Sequence, residues 1–186
     1  VHESAEVDDL HDLAVVDHAD LRLGHDRLYP VERRLGLVLV DSGDDLYLGL
    51  GSDHTDRELE AHSVALSKQL CAKPLAPTLW PFAEVAGHLD SIRIRSFVRD
   101  AETDDWEPYQ EGTLAMLLPL QDLAAAAPES PGGGRLGAGA AMMCGTFPIL
   151  GGGVRPARFF QMEMIDEVLS RRIRHSYETM PLPVVS

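Results

Sequence analysis

Residues 49–71 read GLGSDHTDRELEAHSVALSKQLC and hold a run of side chains able to do chemistry. Asp53, His54, Thr55 and Asp56 place carboxylates, an imidazole and a hydroxyl where an apolar run, LYLGL, ends. That run has the alternation of a strand, the four polar residues fall where the chain is expected to turn, and a helix pattern follows. Thr55 or Asp56 can cap the helix, since each offers a side-chain oxygen to the free N–H groups of the first turn. Leu59, Ser63, Leu66 and Leu70 recur at spacings of three and four, which predicts one buried face. Strand, polar turn and capped helix form a unit that can build a site, because packing behind it holds the charged side chains at its mouth. Plainer readings stand beside this one: Asp53 as a turn or capping residue, Arg57 as its ion-pair partner, Lys68 as a solvated helix lysine and His54 as a satisfied structural histidine.

The elements that must position these groups follow from the rest of the pattern. LGLVLVD, SGDD and LYLGL predict two strands joined by a tight turn, with Gly43 free to take a positive φ. In KPLAPTLWPF, Pro74, Pro77 and Pro81 argue against a regular element and predict a rigid surface loop. SIRIRSFVRD alternates apolar and basic residues and reads as a half-exposed strand, which AETDD turns into a second short strand, WEPYQEG. TLAMLLPLQDLAAAA reads as helix broken at Pro119, and PESPGGGRLGAG as a flexible loop that fits no phosphate-binding template. AAMMCGT is a short apolar run ending in Gly145-Thr146, where a backbone without Cβ lets a ligand come close. RFFQMEMIDEVLSRRIRHSYE reads as one long strand or as a hairpin bent at Asp166.

Bulk properties narrow the function classes. The chain has 186 residues, enough for one domain with a substantial core, with 45% hydrophobic and 25% charged residues. Its net charge of −14 argues against nucleic acid and anionic membranes as partners, since both need basic patches. No apolar run approaches the ~20 residues that span a bilayer, and the start lacks a secretory pattern. Cys71 and Cys144, the two cysteines, sit in apolar contexts and read as buried thiols of a cytoplasmic protein. The acidic first 34 residues carry His2, His11, His18 and His25, the last three spaced by seven on one side of a possible helix. Their spacing matches no zinc template. The expected division is a His-rich segment, 1–34, and a domain, 35–186, that is mostly β with some α.

DHTDRELE, then SKQL, YQEGTLAMLLP and MMCGTFPILGG, resemble in order the landmarks of the fumarylacetoacetate hydrolase-like superfamily, and more closely its uncharacterised DUF2848-type bacterial branch. The likeness covers roughly residues 35–177. It implies an α+β, mostly β fold, a β-roll of mixed sheets with a few short helices, paired as a homodimer. It also implies a metal-assisted hydrolase or decarboxylase that cleaves a C–C bond next to a carbonyl in a small β-dicarbonyl or oxo acid. A divalent ion, Mg²⁺ or else Mn²⁺ or Ca²⁺, would be held by carboxylates and would stabilise the enolate. By position, Asp53 matches the metal-binding Asp, Arg57 the Arg of the turn and Lys68 the active-site Lys. Gln110, Gly145 and Thr146 match the segments that hold a small anionic substrate.

The pattern departs from that family at one place. Its Glu-x-Glu pair on the preceding strand has no counterpart in LGLVLV, and Glu32, just upstream, is the one candidate acid. Glu58 and Glu60 come after the Asp and on the helix, where they diverge by about 200°. The family's His-x-x-Glu dyad is also missing, which leaves His54 as the candidate base. A non-catalytic, small-molecule-binding member with a degenerate metal site is the alternative.

Overall fold

The structure, a computed structural model, describes residues 5–6, 31–125, 136–151 and 153–179. Strands β1 (Ala5–Glu6), β2 (Val31–Asp41), β3 (Leu46–Asp56), β4 (Thr78–Pro81) and β7 (Ala140–Thr146) form one sheet in the order β1-β4-β3-β2-β7. Strands β5 (Arg93–Arg99), β6 (Glu107–Thr113), β8 (Phe159–Asp166) and β9 (Arg171–Glu178) form a second, in the order β6-β5-β8-β9. Helices α1 (Arg57–Glu60), α2 (Val64–Gln69), α3 (Phe82–Val85) and α4 (Leu120–Ala125) are short. The protein is thus mostly β with few helices, but every strand pairing among the described residues is antiparallel, so the expected mixed sheets are not seen.

Alternation decides which face of each strand is buried. Leu35, Leu37 and Leu39 of β2 and Leu48 and Leu50 of β3 meet Ile94, Phe160, Met162, Met164 and Ile173 of the second sheet. Burying each such side chain contributes about 1.5–3 kcal/mol relative to leaving it exposed. The opposite face of the first sheet carries Val38, Val40 and Leu79, covered by Tyr47, Leu75 and Met143. Strand β8 is buried at every position. Its outer face is roofed by arginines: Glu163, 1% exposed, accepts from Arg95 Nη2 at 3.0 Å and Arg174 Nε at 2.7 Å.

Several expectations change at this level. Strand β3 does not turn after Leu50; it stays paired with β2 through Val31↔Asp56. Thr78–Pro81, expected in a loop, is strand β4, with Leu79 and Trp80 buried in the core. The helix expected over 56–70 is two short pieces, and its expected apolar face is not buried: Leu66 and Leu70 are 49% and 69% exposed, and Ser67 is the buried residue of α2. Asp56 caps α1, its Oδ1 accepting from the N–H groups of Glu58 and Leu59. The last apolar stretch is a hairpin bent after Asp166. Strand β2 begins at Val31, inside the segment set apart as residues 1–34, and Ala5–Glu6 adds a strand to the first sheet. The helix expected around His11, His18 and His25 lies outside the described residues. Cys144, buried, and Cys71, half-buried, are not joined in a disulfide, and burial pushes the Cys144 thiol up to about 11.

Candidate functional site

Strand periodicity sorts the residues 53–56 onto two faces. His54 points inward to the second sheet, where its Nε2 lies 2.6 Å from Tyr177 Oη of β9. Burial, with the Arg33 and Lys73 charges, lowers His54 to about 3, so the imidazole is neutral. Asp53, one residue earlier, points to the outer face opposite Arg34 in the register. A base on His54 is therefore directed away from Asp53. The two were expected at one turn; as neighbours in a strand they cannot share a pocket.

On the outer face two lysines converge on Asp53. Lys68, near the end of α2, donates from Nζ to Asp53 Oδ2 and lies 3.4 Å from Thr55 Oγ1. Lys73, in the loop before β4, reaches Asp53 Oδ1 at 3.2 Å. The same ammonium donates to the backbone oxygens of His54 and Lys68, both at 2.6 Å. Burial alone would raise the Asp53 pKa. Hydrogen bonds from Lys68 and Lys73 and their charges outweigh it and hold the carboxyl below the usual carboxylate range. Lys73 escaped the sequence reading because a loop brings it back, and no periodicity links it to Asp53.

The other candidates are elsewhere. Gln110 is 1% exposed and all its hydrogen-bonding capacity is used inside the protein. Its Oε1 accepts from Leu35 N at 2.8 Å and Ser96 Oγ at 3.1 Å, and its Nε2 donates to Thr146 Oγ1 at 3.1 Å and Phe147 O at 2.7 Å. Thr146 Oγ1 donates in turn to Leu35 O at 2.7 Å. Gln110 and Thr146 thus clasp the Leu35 peptide on the β7 side of β2, whereas Asp53 lies on the β3 side. Gly145, at φ 108, lies in β7 where its register with β2 shifts, and its carbonyl oxygen would lie 2.6 Å from a Cβ on Gly36. The resemblance implies one site holding Asp53, Lys68, Gly145 and Thr146; in the structure β2 stands between the first pair and the second. Arg57 is exposed and paired with Glu60. Glu32 is opposite Thr55 in the register, two pairs removed from Asp53.

The divalent ion implied by the resemblance does not fit the residues present. Both oxygens of Asp53 are held by ammonium groups, which repel a metal cation as well as occupying its ligand. Among the described residues no group of three or more His, Cys, Asp or Glu side chains could hold an ion. Two cavities of about 340 and 350 Å³ lie by Arg99–Asp105 and by His88–Leu120, and neither is lined by Asp53, Lys68 or Lys73. The lysine cluster is reached from the surface, with Lys68 42% exposed.

The family model described as "Protein of unknown function (DUF2848)" matches residues 34–177. The chain belongs to that family. Its match runs from the start of the β2–β3 ribbon to Tyr177 on β9, so this DUF2848 protein carries the lysine–aspartate cluster and the Gln110 clasp within the family domain. A search of curated proteins finds no match. Among solved structures, "Crystal structures of Cg1458" is similar at 14% identity and a TM-score of 0.58, covering 78% of this chain and 59% of that one. "Crystal structure of Cg1458 with inhibitor" is similar at 14% identity and a TM-score of 0.52, covering 78% and 56%. The likeness is one of fold, and the chain spans less than two thirds of Cg1458. No helix among the described residues is long and apolar enough to cross a membrane.

Proposed function

We propose that this chain is a fumarylacetoacetate hydrolase-like protein that takes a small oxo acid or β-dicarbonyl anion at the Lys68–Asp53–Lys73 cluster. It acts there as a hydrolase or decarboxylase on the C–C bond beside the carbonyl. The observation that carries this reading is the convergence of two ammonium groups on one carboxylate, which leaves a positive charge at a partly buried site. The ordered landmarks over residues 35–177 support it, as does the likeness in fold to a protein solved with an inhibitor bound.

In this reading Lys68, the more exposed lysine, moves from Asp53 to the substrate and donates to the carbonyl oxygen. As the C–C bond breaks, its electron pair passes into that carbonyl, and the ammonium stabilises the enolate oxygen. In hydrolysis, water supplies the hydroxyl to the acyl fragment and a proton to the enolate carbon; in decarboxylation, CO₂ leaves and the carbon takes a proton. Asp53 stays ionised throughout, because Lys73 remains paired with it. Arg57, four residues along at the start of α1 and paired with Glu60, exchanges that partner for a substrate carboxylate. The homodimer and the cytoplasmic location implied by the resemblance belong to this same reading.

A panel of oxaloacetate and acylpyruvates, followed by loss of enol absorbance, tests it. Turnover by the wild type that falls by about 10²–10³-fold in Lys68→Met is expected, the usual loss for one oxyanion donor. No turnover of any member, or turnover untouched by the variant, contradicts it. One observation favours a second reading, a non-catalytic binding member with a degenerate metal site: both Asp53 oxygens are already engaged. That reading expects the panel to bind without being consumed.

A further inference from the structure

The failure of Asp53 to present a metal site has a specific structural cause. Lys73 Nζ is surrounded by three oxygens of different origin: Asp53 Oδ1 at 3.2 Å, His54 O at 2.6 Å and Lys68 O at 2.6 Å. An ammonium has three N–H donors and no acceptor, so these oxygens fill its valence completely. One carboxylate and two carbonyls are also the donor types that a hard cation would take. We propose that the Lys73 ammonium is the resident cation of this site, standing where the resemblance calls for a divalent metal. The inference deepens the reading of the Asp53 cluster as the functional site, but it concerns what holds Asp53 and not whether substrate is consumed.

Two features of the backbone make the cage a built one. Lys68 O belongs to the last turn of α2, where carbonyls have no partner within the helix, and the lysine serves as its cap. His54 O lies on β3 beyond the stretch that β4 covers, since β3–β4 pairing is confined to Tyr47↔Pro81 and Leu48↔Trp80. The ammonium therefore ties the end of β3, the end of α2 and the catalytic-candidate carboxylate into one unit. It keeps Asp53 charged while Lys68 is free to leave.

The test uses the full chain and Mn²⁺ as the probe, followed by loss of the free-ion electron paramagnetic resonance signal, with thermal unfolding read in parallel. The wild type is expected to leave the Mn²⁺ signal undiminished up to millimolar ion, and its melting temperature unmoved. Lys73→Ala should melt about 4–10 °C lower, the shift expected when charge-assisted hydrogen bonds are lost from a chain of this size. Methylammonium, which can re-enter the cage, should restore part of that loss in Lys73→Ala and do nothing to the wild type. Lys73→Met, which keeps the apolar stem, guards against an alanine variant that does not fold. Stoichiometric Mn²⁺ binding by the wild type that disappears in Asp53→Asn would overturn the proposal. So would a melting temperature unchanged in both Lys73 variants. A chain inert toward every oxo acid still gives these readings, so failure here is distinct from failure of the functional reading.

Discussion

His54 Nε2 lies 2.6 Å from Tyr177 Oη, and this contact joins β3 of the first sheet to β9 of the second. Both groups are buried and their pKa values move apart: burial lowers the imidazole to about 3 and raises the phenol. The folded state therefore holds a neutral His54, whereas the unfolded chain protonates it near its ordinary value of about 6.5. The unfolded state binds the extra proton, so stability from this group is complete above pH ~6.5 and is lost as the pH falls toward 3. The expected slope is up to about 1.4 kcal/mol per pH unit in that window. Urea unfolding of wild type and His54→Gln from pH 7 to pH 4.5 measures it. The wild type should lose stability more steeply than the variant, and parallel curves contradict the assignment.

Gln110 is predicted to be structural. Gln110→Ala strips partners from Leu35 N, Ser96 Oγ and Phe147 O in a buried seam. A loss of about 2–4 kcal/mol is expected from several orphaned buried groups. Gln110→Glu should be no milder, since it keeps the acceptor, loses the two donor bonds and brings a charge into a position 1% exposed. Denaturant midpoints check both, with amide exchange at Leu35 as the local readout.

Glu163 and its arginines should respond unequally. Glu163 is 1% exposed between Arg95, Arg174 and, at 3.8 Å, Arg172. Removing the shared acid in Glu163→Ala takes away the buried acceptor of two charge-assisted hydrogen bonds, from Arg95 and Arg174, and should cost about 1.5–3 kcal/mol, since the guanidinium groups left behind reach solvent. Arg172→Ala, at a side chain 52% exposed, should cost less than about 1 kcal/mol. Equal effects of the two substitutions would contradict the arrangement.

Gly36→Ala tests the close passage of β7. The added Cβ would meet Gly145 O at 2.6 Å, a backbone atom with no freedom to swing aside. Destabilisation of about 1–3 kcal/mol from overpacking is expected, together with weakened protection of the β7 amides. An unchanged melting temperature would show that β7 does not sit as described.

Many strand positions were legible in the sequence, though not their order in the sheets. β5 shows plain alternation, β2 and β7 are short apolar runs, and β6 and the β8–β9 hairpin are marked by the turns beside them. The end of β3 was misread because Asp53, His54, Thr55 and Asp56 are polar and resemble a turn, while cross-strand pairing with β2 keeps them extended. The prolines hid β4, whose Leu79 and Trp80 are held by tertiary burial in spite of them. At the site, Asp53 and Lys68 were put together by the family resemblance and not by spacing, and the structure pairs them. Lys73 was not legible, because its partners are two backbone carbonyls and a carboxylate assembled by a loop. Gln110 and Thr146 were noticed for their residue types, but only the tertiary register reveals that they serve Leu35.

The central claim is that Lys68, Asp53 and Lys73 form a site for a small anion. Isothermal titration of oxalate into wild type and Lys68→Met addresses it most directly. One oxalate per wild-type chain is expected, weakening with salt, and at least about tenfold weaker in the variant, equivalent to about 1.4 kcal/mol for one charge-assisted contact. No binding by the wild type, or equal binding by both proteins, would contradict it.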